Sequence, residues 1–220
     1  KDYSPDFMLI YNKTMLDSYN KNHPEDKIII SETEPLTWQE FYEIASKIQA
    51  AQKINYGTSI GFEAVKHLHE WVQMTGSSLF KEDGKTLNVD DENVRAAFAF
   101  FTALQKDNAE EFPEYLALNH NNGIAPASYT KGASTSEVEV FKQQKAFSIF
   151  NGLYSFYTFD LYNTDFEIGI APPPVKAGIT TPYATTSAMV ANCISATSKY
   201  KDVAFRFLEA DSRTMLVEKG

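Results

Sequence analysis

Short runs of strand-forming residues alternate in this chain with amphipathic segments of helical period. The clearest strand is the apolar run FMLIY (7–11), and later runs at EIGIA (167–171) and SAMVANCISA (187–196) predict two more. A continuous apolar run is typical of a strand that is buried on both faces. The run IIIS (28–31) is ambiguous, because a run of this length fits a second short strand but does not require one. Because strands and helices alternate, the fold class is α/β or α+β.

Helix signals separate these strands. TWQE (37–40) predicts a capping box, in which the Thr37 hydroxyl accepts from the Glu40 amide and the Glu40 side chain reaches back to the Thr37 amide. A Gly-containing loop is expected at 56–61, and Gly76 should end the helix that follows it. Positions predicted to face inward at helical spacing are Phe41, Ile44, Ala45 and Ile48, then Val65, Leu68 and Val72, then Val94, Ala97, Phe98, Phe101 and Leu104, and finally Val203, Ala204, Phe207 and Leu208.

Composition excludes several classes of function. The chain has 220 residues and a formal net charge of −9, with 20 Lys and Arg against 29 Asp and Glu. Binding a polyanion relies on basic residues, so a nucleic-acid partner is disfavoured. No apolar run approaches the roughly 20 residues that cross a bilayer. Cys193 is the only cysteine, which excludes an intramolecular disulfide, and we expect it to be buried in a strand.

Nothing in the sequence indicates catalysis or a metal site. His67 and His69 are two positions apart, which on a helix puts them roughly 200° apart and prevents chelation. Glu137 and Glu139, or the pair at 110–111, could supply the two carboxylates of a glycoside hydrolase, but their charged surroundings favour a solvated helix face. The sequence therefore predicts a protein that is not an enzyme, with no cofactor and no metal.

The stretch FKQQKAFSIFNGLYSFYTF (141–159) places seven aromatic rings around one Asn-Gly pair. Core packing is one interpretation. In the other, Tyr154 and Phe156 follow a turn at the end of a strand, where open α/β sheets place their ligand clefts. An aromatic face there suits the apolar side of a sugar ring.

The ordered set of segments resembles one family. The segments are LIYNK (9–13), PLTWQEFYEIASKI (35–48), the passage 75–107, VFKQQKAFSIFNGLYSF (140–156), DFEIGIAPPP (165–174) and the passage 187–210. Together they resemble the extracellular solute-binding proteins of ABC sugar importers, the family that includes maltose-binding protein. The resemblance implies a periplasmic-binding-protein-like fold of type II, here a mostly helical carboxy-terminal lobe around a small mixed sheet.

The resemblance also implies a division of the chain and a set of ligand contacts. Residues 1–186 would form the ligand-binding lobe, and residues 187–220 the return crossing that rejoins an amino-terminal lobe, so that the chain would be a fragment. Gln144 stands where the family usually has glycine, Tyr154 where it often has Trp, and Thr185–Thr186 where it has Gly-Gly. The ligand contacts implied are Asp6, Phe62, Tyr154, Phe156, Thr186 and Ser187.

The implied function is capture of an extracellular carbohydrate, expected to be an oligosaccharide, and its delivery to the transmembrane subunits of an ABC permease. The protein would be extracellular or periplasmic, and would touch the membrane only through a lipid anchor outside this chain. The sequence leaves two alternative functions open. One is a surface glycan-binding or glycoside hydrolase fragment, and the other is a solute-binding protein for a peptide or polyamine. Released sugar products would separate the hydrolase from the binding protein.

Overall fold

The computed structural model describes residues 7–60, 64–104, 124–125, 137–179 and 193–218. The chain divides into two compact units, residues 1–187 and residues 188–220. The role of each part, as predicted from the family resemblance, stays a prediction.

The first unit is built on four described strands and six described helices. The strands are β1 (Met8–Asn12), β2 (Tyr56–Ser59), β3 (Ala146–Asn151) and β4 (Ile168–Ala171). The helices are α1 (Lys13–Asn22), α2 (Trp38–Gln52), α3 (Ala64–Met74), α4 (Glu92–Leu104), α5 (Glu137–Lys142) and α6 (Tyr154–Thr158), with a 3₁₀ turn at Leu161–Asn163.

The strands form one small mixed sheet in the order β2-β3-β1-β4. β2 and β3 are parallel, whereas β1 is antiparallel to both β3 and β4. β1 is central and fully buried, as its apolar run predicts, with Leu9 and Tyr11 in the larger core cluster and Met8 and Ile10 in the smaller one. Alternate side chains of a strand point to opposite faces, so this division follows from the strand itself.

Aromatic rings fill the larger cluster. The fully buried Trp71 ring contacts Phe7, Phe100 and Phe150, with centroids 5.2–5.8 Å apart. Phe100 also stacks on Trp38 at 4.8 Å with the planes 3° apart. Such contacts add to the free energy gained by burying the rings. This cluster joins α2, α3 and α4 to one face of the sheet.

The predicted capping box is confirmed at the start of α2. The Thr37 hydroxyl accepts from the Glu40 amide at 3.2 Å, and the Thr37 amide donates to the Glu40 carboxylate at 2.7 Å. Phe41, Ala45 and Ile48 are buried as expected. Two other predictions are confirmed. Gly76, expected to stop the helix α3, has a positive φ of 81°, and β4 ends at Ala171, before three prolines.

Two expectations about the first unit are wrong, and the structure resolves one ambiguous run. Residues 56–59 form β2 rather than a loop, because they pair with β3 beneath α2. Phe98 is 37% exposed, whereas Phe100, which the pattern omitted, is buried because it packs between Trp38 and Trp71. The run at 28–31 is not a strand, although Ile28 and Ile30 are buried and Ile29 is exposed.

The second unit contains helix α7 (Lys201–Glu218). Val203 and Phe207 are 65% and 70% exposed, so the expectation that they face inward is wrong for this unit by itself. They line a shallow cavity of about 480 Å³ with Ile194 and Tyr200. A single helix and the segment before it provide too little chain to cover an apolar helix face. Cys193 is exposed, which corrects its expected burial.

Candidate functional site

The ends of all four strands bring the candidate site to one edge of the sheet. The parallel strands β2 and β3 end there at Ser59 and Asn151. Because β1 is antiparallel to β3, its first residue, Met8, lies opposite Asn151. β4 ends at the same edge, with Ala171 opposite Leu9. Ligand clefts of open α/β sheets lie at the carboxyl ends of strands, which makes this edge the candidate site.

A short hydrogen-bonded turn carries the chain from this edge into α6. The Gly152 amide donates to Oδ1 of Asn151 at 2.8 Å, and the Ser155 hydroxyl donates to the Gly152 carbonyl at 2.7 Å. Asn151, Gly152 and Ser155 are buried. The turn therefore fixes the start of α6, and with it Tyr154, beside the end of β3.

The seven rings of the aromatic stretch divide between core and surface. Phe141, Phe147 and Phe150 are fully buried, and Phe156 is 8% exposed in the smaller core cluster. Tyr154 and Phe159 are half-buried, and Tyr157 is 79% exposed. Core packing is thus confirmed for four of the seven rings. The burial of Phe156 favours packing, and its role as a ligand contact stays a prediction, as does that of Tyr154.

The other predicted contacts lie outside the described residues. These are Asp6, Phe62, Thr186 and Ser187. Their roles stay predictions. The segment 187–196, predicted as a strand, is described only from Cys193 onward, and that part is not a strand.

A buried polar pair at this edge was not predicted. Nδ2 of Asn151 donates to Oε1 of Glu137 at 3.0 Å, and the two residues are 2% and 8% exposed. The expectation of a solvated face is therefore wrong for Glu137, while Glu139 is exposed as expected. The charged sequence around Glu137 gives no sign of its burial. An Asn at the end of a buried strand was the available signal, since buried polar side chains need partners.

Ser59 is a second polar residue that the sequence did not indicate. It is fully buried at the end of β2, and its Oγ has no hydrogen-bond partner among the residues that the structure describes. A buried hydroxyl without a partner costs free energy. This edge therefore has a polar atom with unused hydrogen-bonding capacity.

A pair of exposed tyrosines extends the aromatic surface beyond Tyr154. The rings of Tyr157 and Tyr162 lie 5.5 Å apart at 71°. A hydrogen bond with Tyr157 raises the pKa of Tyr162 above its ordinary 10.0. Among the described residues, no group of three or more His, Cys, Asp and Glu side chains could hold a metal ion. The groups present can thus stack on a ligand and hydrogen-bond to it.

Sequence comparison decides the family. Residues 2–210 match the family described as bacterial extracellular solute-binding protein. The chain belongs to this family. Solute-binding proteins of this family are extracellular or periplasmic and bind their solutes rather than react with them. None of the described helices of this solute-binding protein has the length and apolar character to cross a membrane.

Solved structures of other solute-binding proteins share the fold. One, from Thermotoga lettingae and bound with α-D-tagatose, has a TM-score of 0.58 and 20% identity, covering 99% of this chain and 51% of that protein. The sugar-binding protein MalE from Xanthomonas citri has a TM-score of 0.56 and 17% identity, covering 94% and 46%. UgpB from Mycobacterium tuberculosis, in complex with glycerophosphocholine, has a TM-score of 0.54 and 14% identity, covering 80% and 39%.

The chain spans about half or less of the length of each of these three proteins. No curated protein matches the chain. The predicted periplasmic-binding-protein-like fold with a small mixed sheet is confirmed, and so is the family that the sequence resembles.

Proposed function

We propose that this solute-binding protein captures an extracellular carbohydrate at the edge of the sheet where β2, β3 and β4 end and β1 begins. The observation that supports the proposal is the position of Tyr154 on the turn after β3, beside the buried pair of Glu137 and Asn151. An aromatic ring stacks on the C–H face of a pyranose, and carboxylate and amide groups bond to its hydroxyls. A small number of fixed polar groups beside an apolar surface is the usual composition of a sugar site.

In the full-length protein, a second lobe completes the site. A ligand that touches both lobes shifts the population toward the closed state, because only the closed state makes both sets of contacts. The segments 7–11 and 187–193 act as hinges, and Asp6, Phe62, Thr186 and Ser187 contribute further contacts. The closed, loaded protein then delivers the sugar to the transmembrane subunits of an ABC permease, and the protein has no chemistry of its own.

A thermal-shift screen of the full-length protein tests the proposal. The sugar probes are glucose, galactose, xylose and fructose with their linear oligomers of two to four units, and the non-sugar probes are glycerophosphodiesters, peptides and polyamines. Each is tested up to about 10 mM, roughly 100 times an expected Kd. A ligand that binds only the folded state raises Tm saturably. We expect such a rise for one sugar class. A rise with glycerophosphodiesters, peptides or polyamines and with no sugar would replace the carbohydrate by a non-sugar solute.

Release of shorter sugars from any oligomer in this screen would contradict a pure binding function. Chromatography of the probes after an overnight incubation gives that readout. A hydrolase would shorten the oligomers at a rate proportional to protein concentration, whereas a binding protein leaves them intact.

A further inference from the structure

The carboxylate of Glu137 is buried at the edge of the sheet where the sugar site is proposed. The residue is 8% exposed, and Oε1 of its carboxylate accepts a hydrogen bond from Nδ2 of Asn151 at 3.0 Å. Asn151 is neutral, so this bond orients the carboxylate without cancelling its charge. A carboxylate that leaves water loses hydration that one neutral donor replaces only in part.

No basic side chain in the described part of the chain forms an ion pair with Glu137. Lys142, which lies on the same helix α5, donates instead to the carbonyl of Phe159 at 2.9 Å. The ion pairs among the described residues lie elsewhere: Lys13 with Asp17 and Glu167, Lys47 with Asp26, Lys81 with Asp90, and Lys176 with Glu92. Glutamate is rarely buried without a cationic partner. A positive charge brought to Glu137 is therefore stabilised more than it would be beside an exposed carboxylate.

Ser59 supplies a second acceptor at the same edge. β2 and β3 are parallel neighbours, and Ser59 lies opposite Ile149, two residues before Asn151. The α5 helix, which carries Glu137, packs against both strands. Ser59 is fully buried, and its Oγ has no hydrogen-bond partner within the described ranges. An ammonium group has three N–H donors and no acceptor, so a carboxylate and a hydroxyl oxygen are the partners that it needs.

The ring of Tyr154 favours the same kind of ligand. It is half-buried on the turn after β3. The face of an aromatic ring attracts a cation as well as the C–H groups of a sugar. A phosphate or carboxylate solute would instead meet the negative charge of Glu137. None of the described residues at the ends of β2, β3 and β4 or at the start of β1 is Lys, Arg or His, so none there would neutralise an anion.

We infer that the solute carries a free amino group, which the buried carboxylate of Glu137 binds as an ammonium ion. The inference rests on the proposed carbohydrate function and adds to it the chemical class of the ligand, an amino sugar. The sugar ring stacks on Tyr154, and Asn151 holds the carboxylate in place for the amino group. Glu137 is then the residue that distinguishes an amino group from a hydroxyl or an acetamide. The neutral parent sugar binds at the same ring, but more weakly.

Isothermal titration calorimetry of the full-length protein tests the inference with ligands that differ in charge. The probes are glucose and galactose, their 2-amino derivatives, the N-acetylated forms of these amines, and the two uronic acids. Titration near neutral pH keeps the amines positively charged. We expect the amino sugar to bind at least about tenfold more tightly than its parent, and the uronic acid at least about tenfold more weakly. N-acetylation removes the charge, so the acetylated sugar should bind no more tightly than the parent.

Two variants assign the effect to Glu137. Glu137→Gln removes the charge while keeping the shape of the side chain and an oxygen that accepts from Asn151. The control is Glu139→Gln, which changes the net charge by the same amount at an exposed position of the same helix. We expect Glu137→Gln to bind the amino sugar and its parent within about threefold of each other, whereas Glu139→Gln should keep the preference of about tenfold.

The outcomes separate this inference from the function on which it rests. If the unmodified protein binds none of these sugars, the proposed function fails and the inference fails with it. If it binds sugars without preferring the amine, only the inference is overturned. A preference that persists in folded Glu137→Gln, or that is lost equally in Glu139→Gln, also overturns it. A melting scan shows whether each variant folds. If Glu137→Gln does not, Glu137→Asp withdraws the charge by one methylene and should lower the preference at least about threefold.

Discussion

Asn151 donates a hydrogen bond from Nδ2 to Oε1 of Glu137 over 3.0 Å, and both side chains are buried. The bond joins the end of β3 to the start of α5. The other end of the Asn151 amide accepts from Gly152, so one side chain fixes both the turn and the carboxylate. A buried amide that uses both its donor and its acceptor in this way orients its partner, because any rotation would break two bonds.

Asn151→Asp should therefore destabilise the protein in a pH-dependent way. The new carboxylate keeps the shape of the amide and can still accept from the Gly152 amide. Its second oxygen, however, replaces the Nδ2 donor and lies against the Glu137 carboxylate. Two buried carboxylates at hydrogen-bond distance raise the pKa of one of them in the folded state. We expect a loss of at least about 2 kcal/mol in the free energy of unfolding at pH 7, measured by urea denaturation.

The sign of the pH effect separates repulsion from a lost contact. A carboxyl whose folded pKa is raised regains stability as the pH falls through that pKa, so the deficit of Asn151→Asp should shrink between pH 7 and pH 5. Asn151→Ala, which removes the donor to Glu137 but adds no second carboxylate, should recover less than Asn151→Asp over this range. A deficit that stays constant with pH in the Asp variant would show that the two carboxylates do not interact.

Gly57→Ala should also destabilise the protein, through packing alone. A Cβ at Gly57 would lie 2.7 Å from the carbonyl oxygen of Ala45 in α2, a contact that requires the helix to move away from β2. Overpacking of this kind costs about 1–3 kcal/mol. Urea denaturation measures the loss.

Gly84→Ala is the control for Gly57→Ala. A Cβ at Gly84 meets nothing within 4 Å, so the substitution costs only the strain of its positive φ of 65°, about 1 kcal/mol. Equal losses at the two positions would mean that α2 adjusts freely over β2.

Local signals predicted the elements whose structure depends on neighbouring residues. The capping box at Thr37 and Glu40, the buried strand at 7–11 and the end of β4 before the prolines each follow from a few adjacent residues. These features could be predicted because their hydrogen bonds or sterics are local. The ligand contacts at the end of β3 come from the family resemblance alone and stay predictions.

Elements that depend on distant partners could not be predicted in this way. The residues YGTS become β2 only because β3 lies alongside them and Gly57 fits under α2. Phe100 is buried because two tryptophans from other helices enclose it. The burial of Glu137 depends on Asn151, fourteen positions away, and nothing in the sequence near Glu137 indicates it. Tertiary contacts overrode the local pattern in each case.

The raised pKa of the Tyr19 hydroxyl predicts that the stability of the protein changes at alkaline pH. Its hydroxyl donates to Oδ2 of Asp26 at 2.7 Å, and Lys47 in α2 bonds to both oxygens of the same carboxylate at 2.9 Å. Burial, followed by the hydrogen bond to Asp26, raises the pKa of Tyr19 to about 12 from its ordinary 10.0. A raised folded pKa gives stability that is fully present below pH 10 and is lost as the pH rises from 10 to about 12.

Tyr19→Phe removes this titration and serves as the test. We expect the variant to be less stable than the unmodified protein at pH 9, and the difference to narrow as the pH rises from 10 to 12. Lysine deprotonation affects both proteins alike and cancels in the difference. Urea denaturation at each pH gives the values. A difference that is constant from pH 9 to pH 12 would show that Tyr19 has the same pKa in the folded and unfolded states.

Tyr154 is the residue on which ligand affinity should depend most among those described. The turn built by Asn151, Gly152 and Ser155 fixes its position, and its ring is half-buried, so one part of it packs against the protein while the rest faces outward. A ring that is already immobilised loses little conformational entropy when a sugar stacks on it. Tyr154→Ala should therefore weaken carbohydrate binding by the full-length protein at least about tenfold, or roughly 1.4 kcal/mol, for a monosaccharide and for an oligomer alike.

Tyr154→Trp is the matched variant, because the family often has Trp at this position and the larger ring offers at least the same stacking area. We expect it to bind the sugar within about threefold of the unmodified protein, or more tightly. Calorimetric titration of both variants, with a melting scan to check folding, gives the comparison. If Tyr154→Ala melts as the unmodified protein does and binds the sugar unchanged, Tyr154 lies outside the site, and the ligand must be held by other residues at this edge of the sheet.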